Sequence, residues 1–227
     1  MKTLGILGGM GPLATNYFYS LVINKRKVLK ENEHIKTIIY SNPQIPDRTT
    51  YILNNKEENP INELIEGVKF LEKISDHIII ACNTAHFFYE EMYKYSRNKL
   101  INMVEVTANY IERNFKDKVI VLLSTKGTYK TRLYFDYFEG LNIKYKELSS
   151  TQLDNIMNVI TNIKVQGVTE EGIKKIKTFI NEIHKDNYIY LSACTEISLI
   201  YEKLNDENTT CIDSSNILID YVLSLFD

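Results

Sequence analysis

The chain has 227 residues, with 27 Lys and Arg against 29 Asp and Glu, a formal net charge of −2, 44% hydrophobic residues and no tryptophan. A chain so near neutrality lacks the broad basic field that nucleic-acid binding uses, and it is too apolar for a disordered protein. Its apolar runs, such as residues 78–82, are far shorter than a membrane span, so neither nucleic acid nor membrane is expected as a partner.

Residues 4–7 read as a first strand that runs into Gly8-Gly9-Met10-Gly11, with no separate apolar targeting region ahead of it. A second strand at 37–40 leads into residues 41–49, which hold two of the four prolines and read as an ordered loop. Ile61, Leu64, Ile65, Val68 and Leu71 recur at helical spacing, and a strand at 78–81 ends in Cys82-Asn83-Thr84-Ala85-His86. The second half has a similar layout. A strand at 119–123 precedes the polar loop Ser124-Thr125-Lys126-Gly127-Thr128. Ile173, Ile176, Ile180 and Ile183 form a helical stripe, with Thr169 as N-cap and Glu170 and Glu171 in the first turn. A strand at 188–191 leads to Ala193-Cys194-Thr195-Glu196, and residues 209–213 read as another strand. A final helix at 214–226 is expected to pack back on the first half.

Thr15-x-x-Phe18-Tyr19 recurs as Thr131-x-x-Tyr134-Phe135, and Cys82 and Cys194 stand at nearly the same offset. This pattern predicts an α/β protein of two similar lobes, each a mostly parallel sheet flanked by helices. The border is placed near residue 100, giving lobes of 1–100 and 101–208, with 209–227 returning to the first. Three cysteines are too few and odd in number for a disulfide framework, and they point to a reducing, cytoplasmic setting.

Cys82 and Cys194 each follow a strand and precede a helix-like segment, where open α/β sheets bind ligands. A helix start favours a thiolate and offers N–H groups to a carboxylate. Across a cleft, one cysteine as thiolate and the other as thiol would remove a proton from one face of a carbon and return one to the other. The plainer reading of a free cysteine is a small buried hydrophobe, and Cys211, in a strand-like context, is read that way. Gly9-Met10-Gly11-Pro12-Leu13-Ala14 matches G-x-G-x-x-A, yet the second strand ends without the acidic residue that a ribose needs, and Pro12 lacks an N–H. The loop suits a smaller anion. Cys82 with His86, and Cys194 with Glu196, lack zinc-motif spacing, so no metal is expected and His86 is read as a packing or orienting residue. Taken alone, Arg48 and Lys164 are two of 27 cations and read as solvated charges.

Together, Gly8-Gly9-Met10-Gly11-Pro12, Ser41-Asn42-Pro43-Gln44-Ile45-Pro46-Asp47-Arg48-Thr49, Cys82-Asn83-Thr84-Ala85-His86 and Ala193-Cys194-Thr195-Glu196 resemble the aspartate/glutamate racemase family, specifically its aspartate racemase branch. The motifs follow the family's order through most of the chain. The resemblance implies two pseudo-symmetric α/β lobes with the active site in the cleft between them, no cofactor, and a homodimer. It implies that Cys82 and Cys194 are the catalytic proton-transfer residues that interconvert L- and D-aspartate, independently of PLP. Met10, Arg48, Asn83, Thr84, Thr128 and Lys164 fall at substrate-binding positions, and Thr195 adds a donor for the α-carboxylate. Arg48 and Lys164 match positions that hold substrate carboxylates, so the partner implied is a small dicarboxylic amino acid. A glutamate or broad-specificity racemase of the same family, and a non-catalytic amino-acid-binding or sensing protein of the same fold, are the alternative readings. Family members commonly carry Gly before the second cysteine, where this chain has Ala193, a change that a negative φ would accommodate.

Overall fold

The computed structural model describes residues 2–54 and 58–226. Strand β1 (Thr3–Gly8), buried along its whole length, leads into α1 (Pro12–Lys25), which starts with a proline where the missing N–H costs no hydrogen bond. β2 (Lys36–Ser41), α2 (Arg48–Leu53), α3 (Ile61–Glu72) and β3 (His77–Ile80) follow, and the strands form a parallel sheet in the order β2-β1-β3. A lone parallel bridge between Ile78 and Leu100 adds a stub beyond β3. After α4 (Tyr89–Tyr93) and α5 (Met103–Asn114), the chain enters a second lobe with β4 (Val119–Ser124), α6 (Lys126–Lys130), α7 (Phe135–Gly140) and β5 (Lys144–Lys146). It continues through α8 (Ser150–Gln166), α9 (Glu170–Ile183), β6 (Tyr188–Ala193), α10 (Thr195–Ser198), α11 (Tyr201–Leu204), β7 (Thr210–Asp213) and α12 (Ser214–Ser224). The second sheet is also parallel, in the order β5-β4-β6-β7.

The two sheets share one plan. In each, the first strand is central, the second lies on one side, the third on the other, and a fourth strand or stub lies outside the third. The repeated threonine has the same task in both halves. Thr15 Oγ1 donates to the Gly11 carbonyl at 3.0 Å, and Thr131 Oγ1 donates to the Gly127 carbonyl at 3.0 Å, each bonding back to the start of the helix that follows a first strand. Phe18 and Tyr134, three residues on, are both fully buried.

Helices following each sheet cross to the other. Val104, Ala108 and Ile111 of α5 pack on Ile120 and Leu122 of β4 and Ile189 and Leu191 of β6. In return, Leu218, Ile219 and Val222 of α12 pack with Leu4 and Ile6 of β1 and Phe18 of α1. This exchange fixes one lobe against the other through apolar burial rather than through a single linker.

Three local assignments differ from the expectations above. Arg48 and Thr49 lie in the first turn of α2, not in a loop, because Asp47 accepts from the Thr50 N–H and caps a helix there. Lys126-Gly127-Thr128 likewise start α6, with Thr125 as cap. The last helix stops at Ser224, short of Phe226. The helix of the isoleucine stripe starts where its sequence signals put it, with the Thr169 hydroxyl accepting from the Gly172 N–H at 3.1 Å. Among the described residues, no helix is long and apolar enough to cross a membrane.

Candidate active site

Each cysteine lies at the C-terminal end of a third strand, and both line one tight cleft between the lobes. Met10 comes from the loop after β1, Arg48 and Thr49 from the start of α2, and Cys82, Asn83 and Thr84 from the turn after β3. The second lobe contributes Thr125, Lys164 near the end of α8, and Cys194, Thr195 and Glu196. The free volume is about 10 Å³, room for about one water molecule. Larger surface grooves, of about 700 Å³ beside α5 and α12 and about 540 Å³ between α8 and α9, contain neither Cys82 nor Cys194.

Of the residues expected to be catalytic or to bind substrate, all but Thr128 line this cleft. Thr128 lies behind it. Its hydroxyl is 3.0 Å from Thr84 Oγ1 and 3.1 Å from Thr125 Oγ1, so it belongs to a hydroxyl cluster that joins the lobes and orients Thr84. Thr84 and Thr125 themselves meet across the cleft at 2.9 Å. Thr49, Thr125 and Glu196 line the cleft without having been assigned to ligand binding. For Thr125 the signal was its place at a strand end followed by a glycine, the second lobe's counterpart of the Gly8-Gly9-Met10-Gly11 turn. For Glu196 it was the position two residues after a cysteine.

The side chains are held by specific partners. Asn83 donates through Nδ2 to Ser214 Oγ at 3.2 Å, and its Oδ1 accepts from the buried Tyr134 hydroxyl. Ser214 in turn donates to the Ser192 carbonyl at 2.9 Å, so Asn83 is oriented by the second lobe. Arg48 is only 5% exposed and is far from a solvated charge. Its Nη2 donates to the Met10 carbonyl at 3.0 Å, and Nη1 donates to the carbonyls of Ile45 and Pro46. Its Nε is buried with no hydrogen-bond partner, a donor left over in the cleft wall. Lys164 reaches across the cleft to Asp47, with Nζ to Oδ2 at 3.3 Å. Burial opposes the Lys164 charge, but the carboxylates of Glu196 and Asp47 outweigh it and push the ammonium's pKa up. Burial would likewise raise Asp47, yet Lys164 and the Thr50 N–H hold it down at about 2.

One expectation about the cysteines is reversed. A helix start was expected to favour a thiolate at both positions. At Cys194 the thiol is instead pushed well above its usual range, first by burial and then by the Glu196 carboxylate. The following helix spans only Thr195–Ser198, too short to build much of a dipole. Cys194 Sγ donates to Glu196 Oε2 at 3.1 Å. After Cys82 the chain makes a 3₁₀ turn from Thr84 to Phe88 before α4.

His86 is fully buried and engaged at both ring nitrogens. Nδ1 meets the Cys82 carbonyl at 2.9 Å, and Nε2 accepts from the Met103 N–H at 3.2 Å. Burial lowers its pKa to about 4, so the ring is neutral and ties the Cys82 turn to the start of α5. Its backbone N–H also donates to the Asn83 carbonyl at 3.0 Å, so it orients the turn that carries Asn83 and Thr84. Among the described residues, no three His, Cys, Asp or Glu side chains come together as a metal cluster. Ala193 ends β6 without a positive φ, and its methyl group is buried in the core with Ile189 and Leu191, which accommodates the departure from Gly.

Such a site can present two thiols, a backbone-rich turn at each strand end, and two cations to one small anionic ligand. The model of the Asp/Glu/hydantoin racemase family matches residues 7–222. The chain is 28% identical over 228 residues to the broad-specificity amino-acid racemase RacX of Bacillus subtilis (strain 168), covering 98% of this chain and 97% of that one. Among solved structures it resembles the aspartate racemase of Picrophilus torridus, with TM-score 0.87 and 32% identity over 100% of this chain and 94% of the other. An aspartate racemase homologue from Pyrococcus horikoshii OT3 shares the fold, with TM-score 0.74 and 21% identity over 100% and 99% of the two chains.

Proposed function

The chain belongs to the Asp/Glu/hydantoin racemase family, and on that premise we propose that it interconverts L- and D-aspartate by two-base proton transfer between Cys82 and Cys194, without PLP. The observation that carries the reading is that the two cysteines, one from each pseudo-equivalent strand end, line the same cleft as Arg48 and Lys164. Two cations fit a substrate with two carboxylates, and arginine suits the planar carboxylate in particular.

The α-proton of an amino acid is only weakly acidic, so the protein has to stabilise the charge that develops as it leaves. Donors fixed before the reaction do this best. Asn83, oriented by Ser214 and Tyr134, and the hydroxyls of Thr84 and Thr195 would hold the α-carboxylate. One cysteine, as thiolate, removes the α-proton from one face, and the thiol of the other delivers a proton to the opposite face. The cysteines exchange protonation states, and the stereocentre inverts. Arg48 and Lys164 would hold the side-chain carboxylate, with Met10 forming part of the wall.

The resemblance to RacX, a broad-specificity racemase by name, favours a second reading in which the same chemistry accepts other amino acids. We infer a cytoplasmic homodimer with a small dicarboxylic amino acid as substrate. A chiral assay with purified protein tests the proposal. Wild type is expected to convert L-aspartate to the racemate faster than other amino acids. Cys82→Ala and Cys194→Ala are each expected to lose turnover in both directions by at least a factor on the order of 10³. Retention of most turnover by either variant would overturn the two-base scheme, and equal rates with neutral amino acids would favour the broader one.

A further inference from the structure

The amide of Asn83 is fixed by a chain of hydrogen bonds that begins at a carbonyl. The Ser192 carbonyl only accepts, so it takes the one proton of Ser214 Oγ at 2.9 Å. Ser214 is then left to accept, and the Asn83 atom 3.2 Å from it has to be the donor, Nδ2. Oδ1 therefore faces the Tyr134 hydroxyl and takes its proton. Tyr134 is fully buried, and burial pushes its pKa up, so the phenol keeps that proton at neutral pH. One amide N–H of Asn83, a residue that lines the cleft, is left over.

The other half of the fold is built differently at these positions. Thr195 follows Cys194 as Asn83 follows Cys82, Phe18 stands where Tyr134 does in the repeated motif, and Met103 opens α5 as Ser214 opens α12. Phe18 and Met103 are buried together among apolar side chains. A threonine has no amide to orient. The two hydroxyls thus accompany the amide: the half with Asn after its cysteine has Tyr and Ser against it, and the half with Thr has Phe and Met at the matching places.

We propose that Tyr134 is a positioning residue for the reaction: its hydroxyl, acting with Ser214, holds the Asn83 amide so that an N–H, and not the carbonyl oxygen, meets the substrate's α-carboxylate. This inference rests on the racemase reading above. As the α-proton leaves for a cysteine, the electron pair of the broken C–H bond spreads onto the carboxylate oxygens. A donor already in place stabilises that added charge more than it stabilises the bound substrate. A flipped amide would set its own oxygen against the same carboxylate. It would also turn Oδ1 to the lone pairs of Ser214, whose proton is spent on Ser192. Without the Tyr134 hydroxyl, Oδ1 is left buried with no donor, and the amide turns to find one.

Tyr134→Phe removes the hydroxyl and keeps the ring. The test is a double-mutant cycle on racemisation kinetics, Tyr134→Phe with and without Asn83→Ala, in which slow variants are followed by Cα–H exchange at high protein concentration. Tyr134→Phe is expected to lower kcat on the order of 10-fold, with KM within about twofold of wild type. In the Asn83→Ala background the same change should cost at most about twofold, because no amide is left to orient. Damage to packing alone would cost the same factor in both backgrounds, and that result would overturn the proposal. An unchanged kcat in Tyr134→Phe, with or without a higher KM, would overturn it too. If Tyr134→Phe does not fold, Ser214→Ala takes its place in the cycle, and equal losses with and without Asn83→Ala would count against the proposal in the same way. A wild type that racemises no amino acid would instead overturn the reading beneath it.

Discussion

At the scale of single residues, Arg48 departs furthest from what composition alone implies. One cation among 27, it is 5% exposed and anchors three loop carbonyls while keeping Nε unpaired in the cleft wall. A charge so buried, in contact with carbonyls rather than carboxylates, is stabilised further when an anion arrives. Arg48→Lys removes the planar fork and cannot satisfy the same carbonyls together with a substrate. Steady-state kinetics are expected to show KM for aspartate raised at least tenfold, with a smaller change for an amino acid that lacks the side-chain carboxylate. An equal change for both substrates would mean that Arg48 only supports the loop. Cys82 and Cys194 were legible as a pair because strand ends in α/β sheets are ligand sites and both motifs stand at matched positions. The partner of Cys194 was not, because spacing of two residues does not tell which way a carboxylate turns.

At the scale of elements, local chemistry marked the boundaries that carried caps or strong periodicity. Thr169 and the isoleucine stripe specify α9, and the β-branched runs specify β1, β3, β4 and β6. Short helices escaped notice because four to six residues, as in α2 and α10, give no period to detect. The long α8 is less amphipathic than α9, and its register became visible only through the core that Ile156, Val159, Ile160 and Ile163 enter. His86 shows how one side chain joins two elements. In the folded state its pKa is lowered by burial to about 4, against about 6.5 when unfolded. The unfolded chain therefore binds more protons between those values, and stability falls as pH falls through that window. The full effect is on the order of 3 kcal/mol, complete near pH 4 and absent above about pH 7. Denaturant midpoints measured from pH 7 to pH 4.5 should decline in wild type. They should decline less steeply in His86→Gln, which is less stable at neutral pH. Parallel curves for the two proteins would contradict the assignment of a neutral, buried imidazole.

At the scale of the whole molecule, the two lobes close on a space too small for their proposed substrate. A cleft of about 10 Å³ holds no amino acid, so the lobes or their loops have to part before one enters. The contacts across the opening are polar: the Thr84–Thr125 pair at 2.9 Å and the Lys164–Asp47 ion pair at 3.3 Å. Behind them, the exchange of α5 and α12 is apolar, a natural hinge side for such a movement. A substrate carboxylate arriving at Lys164 competes with Asp47, so opening and binding involve the same cation. The lobes' shared strand order, and not any single motif, brings the two cysteines to one cleft. The most direct test is proton NMR of the reduced protein with L-aspartate in D₂O, followed by chiral analysis of the same sample. Two-base racemisation requires loss of the Cα–H signal together with appearance of the D-enantiomer. Retention of the Cα–H signal with aspartate, glutamate and neutral amino acids alike would contradict it and leave a binding protein of the same fold.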